Sequence, residues 1–499
     1  MIVTARIVTG RYVDSVVLMR LAERLTALAG VADAAAVMGT DANKALLASG
    51  GFVVDGLATA GPNDLVVAVK ADDGAAAAAA LEQIDALLAA PSTPSHRVPV
   101  AHTLEEALEQ QRGTNVAVIS LPGEHAAAEA RRALERNLHV FVFSSNVPLE
   151  DEIDLKRLAA ERGLLCMGPD CGTAIIGGIG LGFANAVRRG PVGIVGASGT
   201  GIQAVTSLLD RFGVGVSHAI GTGSRDLSDA VGGATAFAGL RALLDDSSTE
   251  AVVVISKPPG KVTAARLLEA AEAAPKPVVC CFLGDRAAGA TTLDEAARAA
   301  AEAVGLTPPE LLDTLDADSI NELRARLASG QRWIRGLFAG GSLGYETQLV
   351  LREAGLDVAS NTPLPSGRAL RDPNRSEGHT VVDLGAEEFT RGRPHPMIDA
   401  RARRARLLAE ADDPETAVVL LDIVLGYGAA ANPAGDLADA IAAARERGIA
   451  VVASVCGTER DPQGLSAQEA VLRNAGVVVL PTNAAAARAA ALLVSGGTA

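Results

Sequence analysis

The stretch Gly193-Ile194-Val195-Gly196-Ala197-Ser198-Gly199-Thr200-Gly201, followed by Ile202 to Asp210, decides how this chain is read. A short apolar run ends in small residues and passes into a helical pattern, which predicts a strand, a tight turn and a helix start. Glycine lets the backbone take positive φ and lets a ligand approach the peptide groups closely. The first helical turn leaves N–H groups without intrahelical partners, and the dipole makes that end partly positive. Phosphate or another anion suits such an end. Ser198 and Thr200 add hydroxyls to it. A plain βα turn packed with small residues would carry the same letters, so the flanking sequence has to decide.

Working outward, residues 191–328 repeat the strand–loop–helix pattern. Gly215 to Ile220 leads into Gly221-Thr222-Gly223-Ser224-Arg225-Asp226, Ala251 to Ser256 into Lys257-Pro258-Pro259-Gly260-Lys261, and Val278 to Leu283 into Gly284-Asp285-Arg286. Parallel strands share a direction, so these loops fall on one sheet edge, where ligands of such sheets sit. Residues 331–499 echo the same module. Gly336-Leu337-Phe338-Ala339-Gly340-Gly341-Ser342-Leu343-Gly344 follows Gly193 to Gly201 nearly position for position. Ala417 to Ile423 runs into Val424-Leu425-Gly426-Tyr427-Gly428, and Ile449 to Val455 into Cys456-Gly457-Thr458-Glu459-Arg460. Two such modules facing each other would aim two helix N-termini at one anion.

Upstream, residues 100–188 alternate helices with strands at Asn115–Ser120, His139–Phe143 and Leu164–Met167. These strands end at Pro122 and at Gly168-Pro169-Asp170-Cys171-Gly172-Thr173. Residues 1–90 carry two strand–helix units and an extra strand (Ile2–Val8, Val31–Met38, Asp64–Val69), which predicts a split βαβ, ferredoxin-like unit. Pro91-Ser92-Thr93-Pro94-Ser95 reads as a linker.

Composition bounds the function. The chain has 499 residues, 49% of them hydrophobic and only 3% aromatic, so its cores are built from Ala, Val, Leu and Ile in the manner of parallel α/β proteins. A net charge of −15 argues against nucleic acid as a partner but leaves room for a local basic pocket. The five cysteines lack zinc-ligand spacing, so no metal is expected. Cys280 and Cys281 are neighbours in an apolar run and should face opposite ways. No secretory pattern and no uncharged apolar run of ~20 residues is found, which predicts a cytoplasmic protein without a membrane partner.

A family resemblance rests on several of these segments together. Val118-Ile119-Ser120-Leu121-Pro122, Gly163 to Cys171 and Val192 to Thr200 resemble the α subunit of succinyl-CoA synthetase. Val381-Val382-Asp383-Leu384-Gly385 and Asp422 to Gly428 resemble the carboxyl-terminal ligase domain of its β subunit. One chain with both parts behind a small α/β domain looks like the FdrA family of acyl-CoA-synthetase-like proteins. Arg391-Gly392-Arg393-Pro394-His395-Pro396-Met397-Ile398-Asp399 fits that family too. The resemblance implies an α/β chain of four parts. These are a ferredoxin-like domain at 1–92, a Rossmann-like CoA-binding-type domain at 96–189, and two flavodoxin-like ligase modules, α-type at 190–329 and β-type at 330–499.

The departures shape the functional expectation. In succinyl-CoA synthetase a histidine in a Gly-His-Ala-Gly segment carries phosphate between nucleotide and substrate. The comparable run here, Gly284-Asp285-Arg286-Ala287-Ala288-Gly289-Ala290, has no histidine, and the glutamate that orients it there looks replaced by Lys257. The glycine-rich CoA loop has no counterpart before Thr114, and no ATP-grasp domain fits the length. The resemblance therefore implies a subunit of a phosphate-dependent carbamoyl or acyl transferase, turning a ureido acid and phosphate into carbamoyl phosphate in ureide nitrogen catabolism. Two alternatives stand beside it: an acyl-CoA ligase with a separate ATP-binding partner, and a non-catalytic scaffold. Phosphate is the expected ligand, with CoA left open and no cofactor assigned. A small anionic substrate, partner subunits and self-association are expected.

Site assignments follow. Lys257 is the anion clamp, and His395, stiffened by two prolines, the general acid–base candidate. Ser198, Gly199 and Thr200 bind phosphate, with Gly426, Tyr427 and Gly428 as the second helix start. Pro122, Gly168, Pro169, Asp170, Arg225 and Arg286 line the substrate or CoA side.

Overall fold

The computed structural model describes residues 2–11, 13, 15–54, 56–89, 101–391 and 393–495. The linker expected at 91–95, the boundary near it and Gly392 lie outside the described residues. The chain divides into two compact units, Met1–His102 with Arg391–Pro394, and Thr103–Thr390 with His395–Ala499.

In the first unit, strand Leu65–Ala71 runs antiparallel between Ile2–Val8 and Val31–Met38. The two outer strands are joined by helix Ser15–Thr26, the expected split βαβ. Alternation along the central strand divides its side chains. Leu65, Val67, Val69 and Ala71 pack with Leu21, Leu25 and Ala77, while Val66 and Ala68 pack with Leu47 and Phe52.

The second unit holds three sheets. The first is parallel and three-stranded: Val116–Ile119, His139–Val142 and Cys166–Met167. The next is centred on Arg189–Gly196, flanked by Val216–Gly221 and Ala251–Ser256, with Val278–Phe282 and Gly289–Ala290 beyond. An antiparallel hairpin, Thr173–Ile176 and Ile179–Gly182, closes its other edge against Val216–Gly221. The third sheet is all parallel. Trp333–Phe338 lies between His379–Asp383 and Thr416–Val424, and Ala450–Cys456 follows.

Both large sheets thus have a central strand, Arg189–Gly196 in one and Trp333–Phe338 in the other, that runs into a helix, Gly199–Arg211 and Gly341–Glu353 respectively. A single core joins them, with Ile202, Val205 and Leu209 of the first helix clustered with Leu343, Leu349 and Leu351 of the second. Helix Asn483–Val494 buries seven alanines there, small enough to let backbones approach. As expected, Cys280 and Cys281 fall in different cores, on opposite faces of their strand. Among the described residues no helix is long and apolar enough to cross a membrane.

The first sheet is tied to the second by buried charge. Lys156 Nζ donates to Thr222 O at 2.7 Å and to Asp226 Oδ1 at 2.6 Å, and lies 3.3 Å from Glu152 Oε1. Asp226 in turn accepts from the backbone N–H of Thr235 and Ala236, opening the helix at Ala234.

Candidate functional site

Ser198 caps helix Gly199–Arg211, its Oγ accepting from Gly201 N at 2.9 Å. The same Oγ lies 2.6 Å from Ser342 Oγ, on the second residue of helix Gly341–Glu353. Ser342 N points at Thr200 Oγ1, 3.4 Å away. Two positive helix ends therefore meet, each lined by hydroxyls, at the carboxyl edges of two sheets. Helix Gly341–Glu353 has no side-chain cap of its own. Instead the fully buried Asp422 accepts from Ala339 N at 2.9 Å and Gly340 N at 2.7 Å, and is held by Arg403 at 2.7 Å.

This corrects one expectation. No helix starts after Gly426-Tyr427-Gly428. Gly426 has φ 118, Tyr427 N donates to Ala184 O at 2.8 Å, and Gln463 clamps both the N–H and the carbonyl of Gly426. The loop is pinned to residues 183–185 as a floor, with the Tyr427 ring over Gly180 and Gly428 against Phe183. The second helix start is at Gly341, where the internal repeat of Gly336 to Gly344 put it.

Lys257 leaves the end of strand Ala251–Ser256 and reaches this junction. A Cβ on Gly341 would lie 3.5 Å from Lys257 Nζ and would clash with Asp383 Oδ2. The ammonium stands 5.6 Å from the Tyr345 ring centroid. Among the described residues it has no ion-pair partner within 4.0 Å. Burial pushes the Asp383 carboxyl up to about 6, against the opposing pull of the Lys257 charge and the Gly385 N–H. One module supplies the cation and the other the carboxyl group.

His395 Nε2 lies on the far side of Gly385, whose absent Cβ would sit 2.7 Å from it and 3.2 Å from Asp383 Oδ1. Its Nδ1 accepts from Met397 N at 3.2 Å, and the ring packs 5.5 Å from Phe183. Burial pulls its pKa down to about 4. At neutral pH the ring is uncharged, with its one proton on Nε2. His395 thus presents a hydrogen-bond donor to the site.

The other predicted residues separate into two groups. Asp170 has φ 57 and accepts from Ser224 Oγ. Gly168 and Pro169 pack against Gly223, and Gly172 and Thr173 of the same loop continue to Gly199. Pro122 opens helix Gly123–Glu135, where Gly123 packs on Ser145 and Asn146 at the end of the neighbouring strand. The two arginines are engaged elsewhere. Arg225 donates to Glu152 and Val147 O in the buried charge network. Arg286 pairs with Glu353 at the far, C-terminal end of helix Gly341–Glu353, exposed to solvent. Sequence reasoning did not single out Asp383, Asp422 or Ser342. The echo of Gly193 to Gly201 was the signal that could have found Ser342.

Three family models match the chain. Residues 337–493 match CoA-ligase, residues 187–284 a CoA binding domain, and residues 1–103 the AllF heavy metal-associated domain. The CoA-binding match falls on the second sheet, whereas the sequence placed a CoA-binding-type domain at 96–189. "Uncharacterized protein YahF" of Escherichia coli (strain K12) is 45% identical over 488 residues, covering 94% of each chain. The chain belongs to the YahF family. Its similarity to the α subunit of succinate–CoA ligase [ADP-forming] from Staphylococcus epidermidis is 32% identity over 166 residues, which is 32% of this chain and 53% of that one. A dinucleotide-forming acetyl-coenzyme A synthetase 1 from Ca. Korarchaeum cryptofilum is a looser structural neighbour, 16% identical with a TM-score of 0.29 over 76% of this chain and 82% of that one. The residues matched by the heavy metal-associated model, 1–103, contain no cysteine, and their histidines are His96 and His102.

Proposed function

We propose that the chain is an acyl-CoA-ligase-like enzyme subunit whose junction of helix starts binds inorganic phosphate and joins it to a carbonyl carbon. A phosphate oxygen bonds to the carbonyl carbon of a CoA thioester, the carbon–sulfur bond breaks, and the sulfur leaves as the thiol with the proton that phosphate gives up. The observation that carries this reading is the meeting of Ser198 and Ser342 with the unpaired Lys257 beside them. Two helix dipoles and an ammonium favour a dianion and the negative charge that develops on the carbonyl oxygen. The CoA-ligase and CoA-binding matches support the thioester as donor. Any step that uses ATP then belongs to a partner subunit.

A second reading keeps the phosphate site and changes the donor to a ureido acid, with carbamoyl phosphate as product, as in the FdrA-type activity. The run 284–290 favours it. It has no histidine to carry phosphate, and it packs on Leu349, two turns along the helix from Gly341.

The test is phosphate-dependent turnover of each donor by the full chain with its partner subunits. Lys257→Ala should lower phosphate use roughly 100-fold with folding intact, and Lys257→Glu should be worse because it repels the dianion. If both variants keep wild-type dependence on phosphate concentration, the site assignment is wrong.

A further inference from the structure

A cavity of about 30 Å³ lies between helices Gly199–Arg211, Leu293–Ala303, Gly341–Glu353 and Asn483–Val494. That is room for about two waters or one bare alkali ion. Its wall is largely apolar, and a few oxygens enter it. Asn483 Nδ2 donates to Leu343 O at 2.9 Å, Glu346 Oε2 at 2.8 Å and Thr347 Oγ1 at 3.2 Å. Those bonds fix the amide's orientation and leave Oδ1 of a side chain 93% buried with no donor (7% exposed). Asp294 Oδ1 is buried and unpartnered as well, and Ser207 Oγ has only the Cys456 thiol beside it. Glu346 Oε1 accepts from Leu293 N at 2.7 Å.

We propose that this cavity binds one alkali cation, Na⁺ or K⁺, through Asp294, Glu346, Asn483 Oδ1 and Ser207 Oγ. Hard monovalent ions take oxygen ligands, charged and neutral together. The donor set is too poor in carboxylates for a divalent metal, and among the described residues no group of three His, Cys, Asp or Glu could hold one. A water in the same place could satisfy orphan acceptors but could not offset two carboxylates. The nearby arginines have other work. Arg211 donates to Pro481 O at 2.9 Å and Arg488 pairs with Asp313, although the Arg488 charge does act on both carboxylates.

The ligands come from both modules: Ser207 and Asp294 from one, Glu346 and Asn483 from the other. Glu346 is one helical turn past Ser342, so the ion clamps together the two helices whose starts meet at Ser198 and Ser342. The inference is independent of the reaction proposed above.

Full-length protein is melted in KCl, NaCl and choline chloride at equal ionic strength, and crystals grown in RbCl or thallium acetate are measured for anomalous scattering. Expected are a saturable rise in Tm on the order of 2–4 °C in K⁺ or Na⁺ over choline, and an anomalous peak among Asp294, Glu346 and Asn483. Asp294→Asn keeps the shape and should abolish both. Ser207→Ala, a milder change, should weaken the salt effect without unfolding the chain. Equal Tm in all three salts, or a cavity with water density and no anomalous signal, overturns the proposal.

Discussion

His395 and Asp383 flank the same glycine and titrate in opposite senses. Asp383 has its folded pKa raised from about 3.9 to about 6, so its contribution is fully present below pH ~4 and is lost as pH rises to ~6. His395 has its folded pKa lowered from about 6.5 to about 4, so its contribution is present above pH ~6.5 and is lost as pH falls toward ~4. Each spans roughly 3 kcal/mol, and in the native chain the two largely cancel between pH 4 and 6. The expected result is that His395→Gln makes stability fall as pH rises through that window, while Asp383→Asn makes it rise. Denaturant unfolding of the three proteins at pH 4.5, 5.5 and 6.5 measures the slopes. Parallel curves for all three would mean that neither group is desolvated as described. Lys257 and His395 were singled out in the sequence, Lys257 between an apolar strand and two prolines and His395 between two prolines. Asp383 and Asp422 were not, because a carboxylate within an apolar strand has no meaning until the strand's neighbours are known.

At the scale of elements, the repeat of a strand, small residues and a helix carried the reading, and the structure follows it at Gly341. The error at Gly426 has a physical source. Glycine with positive φ serves a tight turn as readily as the approach to a helix, and only the hydrogen bonds to Gln463 and Ala184 separate the two. The hairpin at 173–182 escaped notice because its strands are four residues each and the second is half glycine. The junction itself makes two predictions. Ser198→Ala leaves the buried Ser342 hydroxyl without its partner and uncaps helix Gly199–Arg211, while Ser342→Ala leaves Ser198 only the Gly201 N–H; each should cost about 1–2 kcal/mol, and the double variant should cost less than their sum because both partners are gone. Additive losses in the double-mutant cycle would mean that the two hydroxyls do not bond. Gly341→Ala places a methyl group against the Asp383 carboxylate. It should cost about 1–3 kcal/mol and weaken phosphate binding by displacing Lys257, as isothermal titration with inorganic phosphate would read.

Across the whole second unit, strands were legible almost to the residue where they are fully buried, as at Ala251–Ser256, because a continuous β-branched run bounded by a charged loop leaves little alternative. What the sequence concealed is how the sheets are fastened together. Arg225 looked like a substrate ligand because charges in strand-end loops commonly face one, yet it joins Glu152, Lys156 and Asp226 in a network closed to solvent on the lysine side. Helix Leu149–Glu161 belongs to the first sheet and Asp226 to the second, so this network fastens one layer to the next. Removing one partner of such a set costs more than the set contributes, because the charges left behind stay buried. Lys156→Met keeps the length and the apolar stem but strips Asp226 and Glu152 of their shared cation. The expected loss is about 3 kcal/mol, at the lower end of the usual range, because Asp226 keeps two backbone donors and Glu152 keeps Arg225. Asp226 also opens the helix at Ala234, so the damage should spread to the sheet edge beside Gly221. Chemical denaturation should then show a separate early transition, and limited proteolysis should cut between residues 162 and 172 before the rest of the unit. A single transition at the wild-type midpoint, with no early cut, would mean that apolar packing alone holds the two sheets together.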